Sequence, residues 1–283
     1  MVKNITLQEV EEKKKGYLEQ LLMQEKAANT MSAYARHIDT FIRYIREEKE
    51  SGEFGKMEVV AFKQWLLPKY SPATVNLVIS SLNGLFAFMG LDFMKLKKLK
   101  YQRSNSVENV LTVTEYRKLL TAAKMYNEKL YYIIRTLAGT GIRVGELKYI
   151  TVEAVKRGEA KVINKGKIRN VVLKENVRRM LESYCEQQGI LGGVIFEGRN
   201  GREVISRSYI CSAMKELGKR AGIAREKLFA HNLRHLFAKR FIEKTNDIVM
   251  LADVLGHTSI DTTRIYTRTS NAEKRAKIET VDL

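Results

Sequence analysis

The side chains best suited to chemistry lie between positions 231 and 266, where three of the four histidines of the chain fall. His231 and Arg234 are spaced so that a helix would present both from one face. His235 shares that face, and a Leu-Gly-His sequence places His257 shortly before Tyr266. We therefore expect one reactive site here, which could bind a metal ion or an anionic group.

A metal site is the first interpretation to test, because His-x-x-x-His is a zinc-ligand spacing. No glutamate follows His231, and Arg234 lies between that histidine and His235, where it would repel a cation. We expect no metal and no other cofactor. Purely structural histidines are the competing interpretation, which is weakened because Arg143 and Lys165 offer complementary chemistry upstream.

A phosphodiester fits these residue types better. Each guanidinium offers a fork of donors that matches two phosphate oxygens, so Arg143 and Arg234 together could neutralise a pentacoordinate transition state. A tyrosine hydroxyl, with an ordinary pKa of about 10, becomes a usable nucleophile beside such a phosphate. A lysine in a hairpin could protonate the departing sugar oxygen. These residues predict a metal-free enzyme that forms a phosphotyrosyl bond with nucleic acid.

The elements that must hold these residues are mainly helical. The chain has only two prolines and many good helix formers, so we predict a mainly α fold with a small antiparallel β-sheet. The runs EAKVIN and IRNVVL, joined by a Lys-Gly-Lys turn, predict a hairpin. Three helix starts are predicted from capping patterns: Asn29 or Thr30, Ser71 followed by Pro72, and Thr112 with Glu115.

A chain of 283 residues can form two ordinary domains. Residues 1–95 read as an all-helical domain, because apolar residues recur there at helical spacing. Residues 96–109 lose that periodicity and are basic, which predicts an exposed linker that either lies along phosphates or only connects. Residues 110–283 then form the catalytic domain and a polar tail.

The formal charge of +18 points to a polyanionic partner, and nucleic acid is the first to consider. A membrane is the alternative, but no apolar run reaches the ~20 residues that a spanning helix needs. The first residues lack the apolar stretch of a secretory signal, and two cysteines without metal-ligand spacing suggest no disulfide framework. We expect a cytoplasmic, nucleoid-associated protein with no membrane partner.

Four segments in this order, TGIRVGEL, INKGKIRNVVL, HNLRHLFAKRF and LGHTSIDTTRIY, resemble the tyrosine site-specific recombinases, the family of phage integrases and Xer-type enzymes. The segment KAANTMSAYARHIDTFIRYI resembles the helical, SAM-like core-binding domain of that family, which implies that residues 1–95 form a DNA-binding domain. The resemblance covers most of the chain, and four motifs in order are more specific than any one of them. It implies site-specific DNA recombination through a transient 3′-phosphotyrosyl link.

The resemblance also implies roles at the phosphate. Arg143 and Arg234 would clamp the scissile phosphate, and Glu146 would brace the first arginine. Lys165, in the hairpin, would protonate the leaving 5′ oxygen, although Lys167 stays open as an alternative.

At the nucleophile, the resemblance implies that Tyr266 attacks the phosphorus. His231 would assist proton transfer, and His257 would donate a hydrogen bond to the phosphate. His235 would support the site through packing. The energy of the phosphodiester is conserved, so no ATP is implied.

The family pattern further implies four copies on two DNA duplexes, with possible accessory proteins. Residues 272–278 would form a C-terminal tail that docks on a neighbouring copy, unless this tail is only a frayed terminus. The helical domain begins too early for an extra arm-binding domain, so simple double-stranded recombination sites are expected. Two alternatives stay open: a DNA-relaxing enzyme similar to type IB topoisomerases, and a non-catalytic DNA-binding accessory protein.

Overall fold

The structure is a computed structural model that describes residues 5–49, 51–101, 109–164, 166–198, 204–257, 259–266 and 279. The chain divides into two compact units, Met1–Ser104 and Asn105–Leu283. Within the described residues, no helix combines the length and the apolar character that a bilayer crossing requires. The predicted mainly helical fold is confirmed, and the described residues form two small antiparallel sheets where one was predicted.

The first unit is a bundle of helices with a very short sheet. Its helices are α1 (Leu7–Met23), α2 (Ala28–Glu48), α3 (Lys56–Leu66) and α4 (Pro72–Phe88). Its strands β1 (Ile5–Thr6) and β2 (Glu53–Phe54) pair antiparallel. The prediction of an entirely helical domain was therefore wrong at this point. Two-residue strands carry too little alternation for the sequence to show them.

Phe41 on α2 organises the core of the first unit. Its ring meets Phe54 and Phe62 edge-on, with centroids 5.2 Å away in each case, and all three side chains are buried. Aromatic edges in this arrangement stabilise a core beyond the area they bury.

Of the two helix starts predicted in the first unit, one was confirmed and one was wrong. Ser71 caps α4 by accepting from the backbone N–H of Thr74, and Pro72 is the first helical residue, as expected. The expected cap at Asn29 or Thr30 was wrong, because α2 already begins at Ala28 and has no side-chain cap. Packing of the buried face of α2 outweighs the small stabilisation that a cap provides.

The start of the predicted linker belongs to the first unit. Leu96 is buried in its core, and the backbone N–H and C=O of Leu96 both bond to the side-chain amide of Asn83. Asn76 pairs with the backbone of Leu99 in the same way. The prediction that the linker is exposed was therefore wrong at Leu96, whereas Lys97 and Lys98 are exposed as predicted. Residues 102–108 lie outside the described part of the chain.

The second unit contains the predicted hairpin among helices. The helices are α5 (Val113–Tyr126), α6 (Glu128–Thr140), α7 (Val152–Arg157), α8 (Glu175–Gln188), α9 (Arg207–Arg220), α10 (Ala230–Thr245) and α11 (Ile248–Leu255). Strands β3 (Glu159–Asn164) and β4 (Lys167–Val172) pair antiparallel with Asn164 opposite Lys167. Thr112 and Glu115 form the predicted capping box of α5.

Helix α10 is buried around much of its circumference. Leu233 packs into the main core of the unit, and Phe237, one turn further along, packs into a second cluster that contains Tyr266. The consecutive residues Asn232, Leu233 and Arg234 are all fully buried, although successive side chains of a helix point about 100° apart. Position 234 therefore lies in the interior.

Candidate active site

Arg234 is the centre of the site and has no solvent-exposed surface. One terminal nitrogen, Nη1, donates to the carbonyl of Gly141 at 2.7 Å, and Nη2 donates to the carbonyl of Leu255 at 2.8 Å. The first carbonyl lies at the end of α6 and the second at the end of α11. A guanidinium with no surface is held by such bonds because an unpaired one would be very costly to bury. Arg234 therefore ties α6, α10 and α11 together.

The predicted glycine turn brings Arg143 to this centre. Gly141 ends α6 in the left-handed conformation, with φ of 66°, and its position for a Cβ lies 2.5 Å from the ring of Phe237. Only glycine allows the chain to pass α10 at this distance. Arg143 then begins a 3-10 helix, Val144–Tyr149, with its side chain partly exposed.

Glu146 is the acidic centre of the site and is buried. Its carboxylate accepts from the backbone N–H of Arg143 at 2.8 Å and from Nη1 of the same arginine at 3.1 Å. Arg169 on β4 donates to both carboxylate oxygens, through Nη1 at 3.1 Å and Nη2 at 2.8 Å. The structure thus brings together the predicted Arg143–Glu146 pair and a further arginine.

The charge of Glu146 is stabilised by these donors. Burial by itself would raise the pKa of the carboxyl, but the hydrogen bonds from Arg169 and from the backbone of Arg143 outweigh it and lower the pKa to about 2. Sequence reasoning missed Arg169. Its signal was the hairpin alternation, because Arg169 faces the same side as the buried Val171.

His257 is positioned by the end of α11. Gly256 adopts the left-handed conformation, and the N–H of His257 bonds back to the carbonyl of Ala252 at 3.0 Å. This is the Schellman pattern of a helix end, which the Leu-Gly-His sequence is suited to form. The ring nitrogen Nε2 of His257 then lies 2.9 Å from Nη2 of Arg234, and Nδ1 lies 2.7 Å from the hydroxyl of Thr263.

These contacts assign the protonation of His257. An arginine can only donate, so Nε2 must accept and carries no proton. Nδ1 then holds the proton and donates to Thr263, which is fully buried. Burial, followed by the positive charge of Arg234, lowers the pKa of His257 to about 4, so this neutral form prevails at neutral pH.

Tyr266 lies beside His235, with its hydroxyl 2.8 Å from Nδ1 of that histidine. The tyrosine is largely buried and belongs to the cluster under α10. Burial raises its pKa, while the positive charges of Arg234 and Arg143 act in the opposite direction. The phenol is therefore protonated and donates to His235, although two guanidinium groups favour its ionised form.

His231 lies one ring further out. Its ring meets that of His235 edge-on, with centroids 4.6 Å apart, and the residue is exposed at the surface. Partial burial of the ring is the main factor that lowers the pKa of His231, and the positive charges of His235 and the nearby arginines lower it further. The structure thus places His235, for which the resemblance had implied a supporting role, against Tyr266, and places His231 on the other side of His235.

Of the two candidate lysines, only Lys167 lies within the described residues. Lys165 lies outside the described residues. Lys167 is the first residue of β4, is exposed, and shares the face of the hairpin that carries Arg169. The expected tail, residues 272–278, also lies outside the described part of the chain.

The site as described carries three arginines and one carboxylate, which leaves a net charge of about two positive units at neutral pH. No group of three or more His, Cys, Asp or Glu side chains that could hold a metal ion occurs within the residues that the structure describes. Positive charge, histidines and a tyrosine in one place are suited to a phosphodiester.

Comparison with known proteins agrees with this chemistry. Residues 109–273 match the phage integrase family, and residues 15–89 match its N-terminal SAM-like domain. The tyrosine recombinase XerA of Pyrococcus horikoshii is 31% identical over 76% of this chain and 75% of that protein. XerA of Pyrococcus furiosus is 27% identical over 97% of this chain and 94% of that protein.

Solved structures share the fold. XerH recombinase bound to its difH substrate superposes with a TM-score of 0.68 at 21% identity, covering 93% of this chain and 84% of that one. A lambda integrase tetramer bound to a Holliday junction gives a TM-score of 0.71 at 20% identity, covering 95% and 80%. The family matches and the relatives together establish that this chain belongs to the phage integrase family and is a tyrosine recombinase, an enzyme of site-specific DNA recombination.

Proposed function

We propose that this chain cuts and rejoins double-stranded DNA at specific sites while Tyr266 is transiently bonded to a DNA 3′ phosphate. The observation that carries the proposal is the position of the Tyr266 hydroxyl, 2.8 Å from His235 and under the positive potential of Arg234 and Arg143. Before it attacks phosphorus, a phenol needs a proton acceptor and nearby positive charge that stabilises both the phenolate and the anionic phosphate.

The arginines hold the phosphate. Three of the five N–H donors of Arg234 are engaged by two backbone carbonyls and His257, which leaves one on Nη1 and one on Nε. Nε has no partner among the described residues. Arg143 is partly exposed and gives only one terminal nitrogen to Glu146, so it also keeps donors for a phosphate. Their combined charge stabilises the phosphorane, whose negative charge exceeds that of the substrate.

The proton transfers follow from the contacts. The Tyr266 oxygen bonds to phosphorus as the bond from phosphorus to the 5′ oxygen breaks, and the phenol proton passes to Nδ1 of His235. A hairpin lysine, Lys165 or its alternative Lys167, gives a proton to the leaving oxygen. Attack by a 5′ hydroxyl from another strand reverses these steps. His257 orients Arg234, and the exposed His231 lies next to His235 for further proton transfer.

The assembly follows from the reaction. Exchange of strands between two duplexes needs four cleavages, and hence four copies with one tyrosine each. The lambda integrase tetramer bound to a Holliday junction supports four copies, and XerH bound to its difH substrate supports DNA as the substrate. DNA as the substrate also supports the expected location in the cytoplasm at the nucleoid.

Two biological tasks fit equally: integration and excision of a mobile element, or resolution of replicon dimers. Mapping the covalent attachment points on genomic DNA separates them.

The decisive experiment uses a suicide DNA duplex, in which a nick beside the cleavage site prevents religation. The intact protein should form a covalent adduct, and Tyr266→Phe should form none. Tyr126→Phe, a change of an exposed tyrosine, is the matched control and should behave like the intact protein. Absence of any adduct would favour a non-catalytic DNA-binding protein. An adduct with relaxation of any plasmid, and without joining of two specific sites, would favour a topoisomerase.

A further inference from the structure

Arg169 is the third arginine of the described site, beside Arg143 and Arg234, and it is largely buried. It projects from β4, and its two terminal nitrogens grip both oxygens of Glu146 in a forked ion pair at 2.8 and 3.1 Å. Its side chain is only 14% exposed. Such planar forked pairs fix geometry as well as charge. Arg169 therefore joins the hairpin to the loop of Arg143, which is distant in sequence.

The charges show why a third arginine matters. Glu146 carries one negative charge and contacts two arginines, Arg143 and Arg169. Were Arg143 its only partner, that carboxylate would offset the charge that Arg143 must offer to a phosphate. Arg169 meets both carboxylate oxygens, whereas Arg143 meets one through its side chain. Arg169 thus balances the charge of Glu146 from the hairpin side, so that Arg143 keeps its charge for the substrate.

Arg169 also touches the turn that carries His257. A Cβ placed on Gly256 would lie 2.6 Å from Cδ and 3.0 Å from Nε of Arg169, so only glycine fits against this side chain. His257 follows immediately and contacts Arg234. One side chain therefore packs against the Arg143 loop, the lysine-bearing hairpin and the His257 turn at once.

We propose that Arg169 is a positioning residue for strand cleavage: it neutralises Glu146 so that Arg143 remains available to the scissile phosphate, and it holds the hairpin against that clamp. The inference rests on the proposed function, because it takes Arg143 to be the phosphate ligand.

The test compares Arg169→Gln, Glu146→Gln and the double variant on the suicide duplex. We measure the rate of adduct formation at saturating DNA and, separately, the affinity for the intact site. Arg169→Gln should slow cleavage about 100-fold, with affinity within roughly threefold of the intact protein, because other phosphate contacts supply most of the binding. The double variant should recover at least about tenfold of that rate, since the carboxylate that competes for Arg143 is then absent.

Rescue separates neutralisation from a merely structural role, which a second substitution would only worsen. Arg169→Gln cleaving at the normal rate, or a double variant as slow as the single one, would overturn the inference. If Arg169→Gln does not fold, Arg169→Lys decides: neutralisation predicts a rate within roughly tenfold of normal, because the positive charge is kept, and a loss near 100-fold would contradict it. Failure of the intact protein to form any Tyr266-dependent adduct would instead refute the proposed function.

Discussion

The burial of the Glu146 carboxylate leads us to a prediction about the stability of the folded chain, which can be tested without DNA. Replacing it by glutamine in Glu146→Gln removes the counter-charge of Arg169, whose side chain is 14% exposed. The ordinary pKa of 4.5 falls to about 2 in the folded chain, and a shift of this size corresponds to about 3 kcal/mol of stability at neutral pH. Removal of one partner from a buried ion pair costs ~3–5 kcal/mol, which agrees.

The pH dependence has a definite sign. Because folding lowers the pKa of Glu146, its contribution is complete above about pH 4.5 and is lost as the pH falls toward about 2. The difference in unfolding free energy between the intact protein and Glu146→Gln should therefore be about 3 kcal/mol at pH 7 and roughly half of that at pH 3. In melting temperature, the loss at pH 7 amounts to about 6–12 °C.

The assay is urea unfolding and calorimetry of the full chain at several pH values. The chain has a single tryptophan, Trp65, and it lies in the first unit, so its fluorescence serves as an internal control that should not change. Glu243→Gln, which removes an exposed partner of Arg240, should change stability by less than about 1 kcal/mol. Equal stability of Glu146→Gln and the intact protein at pH 7, or a difference that persists undiminished at pH 3, would refute the reasoning.

Three further predictions concern single side chains. Arg143→Ala and Arg234→Ala should each slow adduct formation by at least about 100-fold. Only Arg234→Ala should also lower the melting temperature, by roughly 4 °C or more, because it leaves two buried carbonyls without their hydrogen-bond donor. Equal melting temperatures of the two variants would contradict this. His235→Phe keeps a ring against Tyr266 and removes its proton acceptor, so the rate of cleavage should fall about 100-fold or more in single-turnover assays. A normal rate would show that another group accepts the proton of Tyr266. Asn83→Ala should destabilise the first unit by ~1–3 kcal/mol, because the backbone N–H and C=O of Leu96 lose their hydrogen-bond partners. Urea unfolding followed by tryptophan fluorescence measures this. An unchanged unfolding midpoint would show that Asn83 does not hold this segment.

Local patterns in the sequence were sufficient for much of the fold. The cap of α4 at Ser71, the capping box of Thr112 with Glu115, and the hairpin of β3 and β4 depend on residues a few positions apart, and the structure has all three. The cap expected at Asn29 was not formed, because the start of α2 is set by packing along the helix. The extended segment at Leu96 escaped prediction for a similar reason, since its partners come from α4.

The kinds of residues in the site, their order and their family could be predicted from the residues alone. Which of these side chains are in contact depends on the tertiary structure. It placed His235 rather than His231 against Tyr266, and it brought Arg169 to Glu146. Helical spacing puts both histidines on one face of α10 and cannot choose between them, because the choice depends on where the chain returns after α11. An ion pair between a strand and a distant loop likewise leaves no periodic signal, since packing of the whole unit sets its distance.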